Sequence, residues 1–266
     1  MAMEEISVTV AGQPARVFVG GEGVPLLLIH GGWGGALMHW APVWDRLAER
    51  YRVIAPDLPG IGRTDQQGLG SLGAYERWME SLLDALDVQS AWIVGNSFGA
   101  SLACRIASDR PDRCRGLVLV DGIPMPVTPG FMRWLGARPL GHRILRAIER
   151  RVAYSRPALD RGFSDPSHVP TELRELVTSK SPPQVDTFVD ILVQGGAPAS
   201  YRVAPLLLCG ADDRLLGTTP RAMRKLHASW PGSTLAFVPK AGHMPQVENP
   251  NAFADALCAF VTRSAE

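Results

Sequence analysis

Short runs of almost uninterrupted apolar residues recur along this chain: PLLLIH (25–30), RVIAPD (52–57), AWIVG (91–95), RGLVLVD (115–121) and APLLLCG (204–210). A strand with one face in water alternates apolar and polar residues, whereas a strand covered on both faces need not alternate. These runs therefore predict the buried strands of a parallel sheet sandwiched between helices. Helical patterns lie between them. Tyr75, Trp78, Met79, Leu82, Leu83 and Leu86 recur three or four residues apart, which places them on one face of a helix packed on the sheet. AWIVG turns at glycine into the helical ASLACRIASD and is followed by RGLVLVD, a strand–helix–strand unit that implies a right-handed parallel crossover. ISVTV (6–10), ARVFV (15–19) and TLAFV (234–238) read as further strands, and Thr219–Pro220 as a helix start. A final helix buries Ala252, Phe253, Ala256, Leu257 and Phe260. The fold class is α/β, with a mostly parallel central sheet flanked by helices.

The rhythm breaks between Gly122 and Ala199, where Pro, Arg and helical apolar patches replace it. We read 122–199 as an inserted helical cap and 1–121 with 200–266 as one core domain. Within the cap, RAIERR (146–151) reads as a solvated helix face.

With 266 residues, one large domain suffices. A net charge of +1 leaves no field for nucleic acid, and no apolar stretch has the length of a signal peptide or a membrane span. The expectation is a cytoplasmic protein. Cys104, Cys114, Cys209 and Cys258 have neither C-x-x-C pairing nor histidines at ligand spacing, so reduced, packed thiols and no metal are expected. Monomer and homodimer both stay open.

Gly95-Asn96-Ser97-Phe98-Gly99 stands between a buried strand and a helix, the setting of a G-x-S-x-G turn in which a serine is held on a sharp bend. Glycines two residues away on either side allow the backbone to fold that tightly. A serine hydroxyl is a poor nucleophile at neutral pH, so it needs a base, and the base needs a carboxylate to hold its tautomer. Among the six histidines, His243 in AGHMPQVENP lies between a buried strand and the last helix, at the sheet's C-terminal edge. For the acid, Asp212 and Asp213 in CGADDRLLG compete, with Asp121 as an outside candidate.

HGGWG (30–34), DLPGIGRTD (57–65), the GNSFG turn, GADD and AGHMPQVENP follow one another in an order that resembles the α/β-hydrolase family, in its esterase, C–C hydrolase and haloperoxidase-like group. The resemblance covers essentially the whole chain. It implies a cofactor-free serine hydrolase with Ser97 as nucleophile and His243 as base, and it selects Asp213, three residues after the glycine of its turn. The sequence departs from the family at Gly217, where proline commonly follows the acid turn. The oxyanion hole is expected from the N–H of Phe98 and a second N–H in HGGWG, Gly32 first and Trp33 second. The resemblance makes His30 structural. His39, His142, His168 and His227 are expected in packed or solvated roles, and Asp57 and Arg63 in fixing their own turn.

The resemblance places the substrate between cap and serine. Trp33, Phe98, Met125, Phe131, Met132, Trp134, Phe188 and Met244 are the residues expected to line that pocket, and they favour a small-molecule ester with an apolar acyl or aryl group. No Arg or Lys cluster marks a charged pocket. An epoxide hydrolase or haloalkane dehalogenase would carry aspartate at Ser97 and is disfavoured. A meta-cleavage C–C hydrolase is the alternative, since Asn96 resembles that group although its usual glycine-proline pair is absent from HGGWGGA. A lyase using the same residues and a non-catalytic receptor on the same fold are more distant readings.

Overall fold

The computed structural model describes residues 3–61, 66–126, 128–179, 184–195, 203–215 and 217–264. Its sheet has the strand order β1-β2-β4-β3-β5-β6-β7-β8, made of β1 (Glu4–Val10), β2 (Gln13–Gly20), β3 (Val24–Ile29), β4 (Tyr51–Pro56), β5 (Ala91–Asn96), β6 (Cys114–Val120), β7 (Leu206–Gly210) and β8 (Thr234–Val238). The pairs β1–β2 and β2–β4 are antiparallel and all the others parallel. Every apolar run picked out in the sequence is a parallel strand.

The lack of alternation in those runs has a direct cause. On β3, Leu27 and Ile29 join a cluster with Tyr75, Met79 and Leu82 of α2 (Leu72–Ala85) and Leu102 and Ile106 of α3 (Phe98–Asp109). Leu26 and Leu28, one residue out of phase, join a second cluster with Trp40 and Leu47 of α1 (Ala36–Ala48) on the other face. Phe253 and Leu257 of the C-terminal helix complete that second cluster. All four strand residues are fully buried, each burial stabilising by roughly 1.5–3 kcal/mol.

Between β6 and β7 the chain forms α4 (Gly130–Gly136), α5 (Pro139–Val152), α6 (Arg156–Gly162), α7 (Thr171–Thr178) and α8 (Gln184–Gln194). This helical insertion has its own apolar centre, with Leu159, Phe163, Leu173, Val177 and Val185, and that centre is shared with Trp33 and Met244 from loops of the sheet domain. The remaining helices are α9 (Pro220–Ser229), α10 (Pro245–Glu248) and α11 (Pro250–Arg263). The loops leaving the C-terminal ends of β3, β5, β6, β7 and β8 all open toward the insertion, where an open parallel sheet places its ligand crevice. Arg63 of the DLPGIGRTD loop lies outside the described residues, as do residues 196–202 at the junction of insertion and core.

RAIERR departs from a simple solvated face: Arg146 pairs with Asp186, and Glu149 turns inward to line the cavity below. Cys104 and Cys209 are buried, while Cys114 and Cys258 are half-buried, and all four are free thiols.

Candidate active site

Ser97 sits between β5 and α3 with φ 53° and ψ −112°, a left-handed backbone that costs a non-glycine residue about 1–3 kcal/mol. The two flanking glycines make that bend possible. A Cβ on Gly95 would stand 2.2 Å from the Gly99 carbonyl oxygen, and one on Gly99 would stand 2.2 Å from that of Ile29. The strand end is locked by the N–H of Ser97, which donates to the Val120 carbonyl at 2.9 Å. Phe98, the next residue, begins α3, so its N–H belongs to the unpaired positive end of that helix.

His243, in the loop after β8, is almost fully buried, as is Asp213 in the loop after β7. The Nδ1 of His243 lies 2.9 Å from Asp213 Oδ2, and Asp213 Oδ1 accepts the Leu215 N–H at 2.8 Å. Burial alone would raise the Asp213 carboxyl. The His243 imidazole beside it and hydrogen bonds from His243, Thr218 and Leu215 outweigh that and hold it below the ordinary value. An ionised Asp213 requires the proton on Nδ1 and leaves Nε2 with a lone pair. Asp212 points elsewhere and accepts the Ser164 hydroxyl at 2.8 Å. Asp121 is also no partner of His243. Its carboxyl oxygens accept the Gly210 N–H at 3.1 and 2.9 Å, and it shares a side-chain hydrogen bond with Asp213. Burial, with the Asp213 charge next to it, pushes the Asp121 carboxyl well above the usual range.

Two further side chains hold the histidine loop. Asn96 Nδ2 donates to the carbonyls of Val120 at 3.0 Å and of His243 at 3.1 Å. The Glu248 carboxylate accepts the N–H of Gly242 at 2.8 Å and of Ser164 at 2.7 Å, joining the loop to the helical insertion.

The HGGWG loop is fixed by histidines. His30 Nε2 accepts the Leu58 N–H at 2.9 Å, and its Nδ1 faces the Gly31 carbonyl at 2.7 Å. His39 Nε2 accepts the Gly31 N–H at 3.1 Å, with Nδ1 facing the Gly35 carbonyl at 3.1 Å. Both rings are therefore neutral with the proton on Nδ1, and burial lowers both, His39 well below the ordinary value. Asp57 acts across the fold as well as within it: its Oδ1 accepts the N–H of Ala36 at the start of α1, and its Oδ2 meets Arg16 at 3.3 Å. Gly31 having its N–H engaged by His39, Gly32 and Trp33 are the next donors in the loop, and both line the cavity. The insertion grips this stretch, with the Tyr154 hydroxyl on the Gly32 carbonyl at 3.1 Å and Trp33 Nε1 on the Ala153 carbonyl at 2.8 Å.

Ser97, His243, Phe98, Gly32 and Trp33 line one cavity of about 610 Å³ between the sheet edge and the insertion. Met125, Phe188 and Met244 line it too. Phe131, Met132 and Trp134 do not. They belong to α4, and Phe131 and Trp134 point to solvent, because α4 turns its Gly136 side, not its aromatic side, toward the rest of the insertion. The sequence reading also missed polar members of this wall. Glu149, Tyr154, Arg161 and Arg214 line it, and the Arg214 N–H donates to the Arg161 carbonyl at 3.2 Å. Residues so distant in sequence carry no shared motif. Among the described residues no group of three or more His, Cys, Asp or Glu side chains is placed to hold a metal ion.

A model of the alpha/beta hydrolase family matches residues 26–256. The chain is 30% identical to 2-hydroxymuconate semialdehyde hydrolase of Pseudomonas putida, over 96% of this chain and 92% of that one. It is 28% identical to pimeloyl-[acyl-carrier protein] methyl ester esterase of Serratia marcescens, over 91% of this chain and 95% of that one. A crystal structure of a meta-cleavage product hydrolase superposes with a TM-score of 0.74 at 25% identity, covering 97% of this chain and 98% of the other. With its eight-stranded, mostly parallel sheet and flanking helices, the chain belongs to the alpha/beta hydrolase family.

Proposed function

We propose that the protein hydrolyses a carboxylic ester with an apolar acyl or aryl group, through Ser97, His243 and Asp213. The observation that carries this reading is the 2.9 Å contact between Asp213 and the Nδ1 of His243, whose ring lines the same cavity as Ser97. In the proposed reaction His243 Nε2 takes the Ser97 proton as the hydroxyl attacks the ester carbonyl. The N–H of Phe98 and that of Gly32 or Trp33 stabilise the oxyanion. His243 returns the proton to the leaving alkoxide, and water, activated by the same imidazole, releases the acid. Asp213 keeps the tautomer and balances the imidazolium charge. Met125, Phe188 and Met244 supply apolar surface for the acyl or aryl part.

The test is hydrolysis of p-nitrophenyl esters from acetate to decanoate by wild type and Ser97→Ala. Turnover lost in the variant supports the reading. A folded wild type inactive at every chain length sinks it, and failure of a fluorophosphonate to label Ser97 would then favour a receptor.

A second reading, hydrolysis of a C–C bond in a dienoate, is favoured by Arg161 and Arg214 on the cavity wall, which have no carboxylate partner among the described residues. Disappearance of 2-hydroxymuconate semialdehyde absorbance with the enzyme, alongside inert p-nitrophenyl esters, would select it.

A further inference from the structure

Of the eight large hydrophobic side chains that the described residues expose, six lie on two consecutive helices: Phe131, Trp134, Leu140, Ile144, Ile148 and Val152. Only Val24 and Leu37 lie elsewhere. Phe131 and Leu140 are each 69% exposed and Trp134 59%, values that packing in the isolated chain does not account for. The inner sides of both helices are already used. Gly136 of α4 lies against Val193 of α8, and Gly141 and Leu145 are the buried positions of α5. Leu140, Ile144, Ile148 and Val152 recur every fourth residue, so they form a stripe along α5 next to the aromatics of α4.

The same two helices and the turn that joins them concentrate positive charge. Arg133, Arg138, Arg143, Arg146, Arg150 and Arg151 stand against one acid, Glu149, which faces the cavity, in a chain whose net charge is only +1. Arg138 stacks over the Trp134 ring at 3.5 Å, and Arg146 pairs with Asp186. The described residues offer Arg133, Arg143 and Arg151 no carboxylate. An apolar stripe of Trp, Phe, Leu and Ile bordered by arginines is the composition of a helix that lies in a lipid interface. The stripe also ends at the site, since Val152 is 49% exposed and lines the cavity beside Ser97.

We propose that the α4–α5 face docks on an anionic lipid surface. The apolar side chains enter the acyl boundary, the arginines meet lipid phosphates, and the cavity mouth at Val152 is set against the bilayer, so that a lipid-soluble substrate enters without crossing water. A second copy of the chain is a poorer occupant, because a two-fold contact would bring like arginines together. Docking does not rest on the ester reading, because binding is measured without substrate.

The experiment is co-sedimentation of the full chain with vesicles of phosphatidylcholine alone and of phosphatidylcholine mixed with phosphatidylglycerol. The expected result is a bound-to-free ratio about tenfold or more higher on the mixed vesicles. It should fall to the phosphatidylcholine level in Arg143→Glu/Arg151→Glu and vanish in Ile144→Ser/Ile148→Ser, whose exposed sites leave folding and turnover of a water-soluble ester unchanged. A folded wild type that stays in the supernatant with both vesicles overturns the proposal, as do double variants that bind like wild type. Light scattering that shows a dimer broken by Ile144→Ser/Ile148→Ser assigns the face to a second copy instead. Binding to polyglutamate but to neither vesicle assigns it to an acidic protein. Each of these last two results also overturns lipid docking.

Discussion

The side-chain amide of Asn96 donates to the main-chain carbonyl of His243 at 3.1 Å, so the strand that delivers the serine and the loop that delivers the imidazole are joined by one side chain. The residue before the elbow serine thereby helps set where His243 stands. The same amide reaches the Val120 carbonyl at 3.0 Å, and Asn96 is buried. Replacing it by alanine takes the donor from the buried His243 carbonyl, while Val120 keeps the Ser97 N–H, at a cost of about 1–3 kcal/mol. Asn96→Ala should lower the unfolding free energy by that amount, seen as a lower urea midpoint, and reduce kcat/KM for a p-nitrophenyl ester at least about tenfold. A variant with the lower midpoint and wild-type kinetics would show that the bond does not position His243.

At Gly99 a methyl group would press on the Ile29 carbonyl oxygen at 2.2 Å, which is backbone and cannot rotate away. Gly99→Ala is expected to destabilise the fold by about 1–3 kcal/mol or more, while Gly130→Ala, where nothing lies within 4 Å, is tolerated. Thermal melts of the two variants side by side check this.

The Tyr154 hydroxyl holds the Gly32 carbonyl from the insertion side. Tyr154→Phe removes one hydrogen bond, about 1 kcal/mol, and keeps the ring that stacks near Phe188. If Gly32 lies in the oxyanion hole, the loss should appear in kcat rather than KM, because it loosens a donor used in the transition state. An effect confined to KM would place Tyr154 in substrate binding alone.

His39 is buried, neutral and lowered in the fold, so the unfolded chain binds a proton below about pH 6.5 that the folded chain refuses. Its contribution is complete above that pH and is lost as pH falls toward its folded value. The carboxyls of buried Asp121 and half-buried Glu248 are raised and act in the opposite direction, losing their contribution as pH rises. The clean measurement is a difference. Between pH 7.5 and 5, His39→Gln, which keeps an acceptor for the Gly31 N–H, should lose less stability than wild type. Parallel pH profiles would mean that His39 is not the titrating group.

Much of this architecture is legible in local pattern. A strand covered on both faces cannot afford alternation, which is why the runs at 25–30, 91–95 and 204–210 identify parallel strands before any contact is known. The pairing Gly95–Ser97–Gly99 is equally local, since the steric demand falls on neighbours in the chain. The arrangement of α4 was not legible. Phe131 and Trp134 have the composition of pocket residues, but which side of a short helix faces inward is decided by its neighbours, and α8 takes the glycine side. Glu149 was hidden for the same reason, as an acid within an arginine-rich stretch that the packing of α5 turns toward the cavity.

The sequence by itself determined the buried parallel strands, the sharp turn at Ser97 and the identity of a short set of chemically able residues, because each depends on near neighbours and on residue type. Only the tertiary structure set the Asp213 carboxylate 2.9 Å from His243 and turned Asp212 to the Ser164 hydroxyl, engaged Gly31 with His39, and brought Tyr154, Arg161 and Arg214 to the same wall. Those outcomes depend on distances of a few ångströms between segments far apart in the chain, and such distances are set by the closing of the core and not by any stretch of sequence alone.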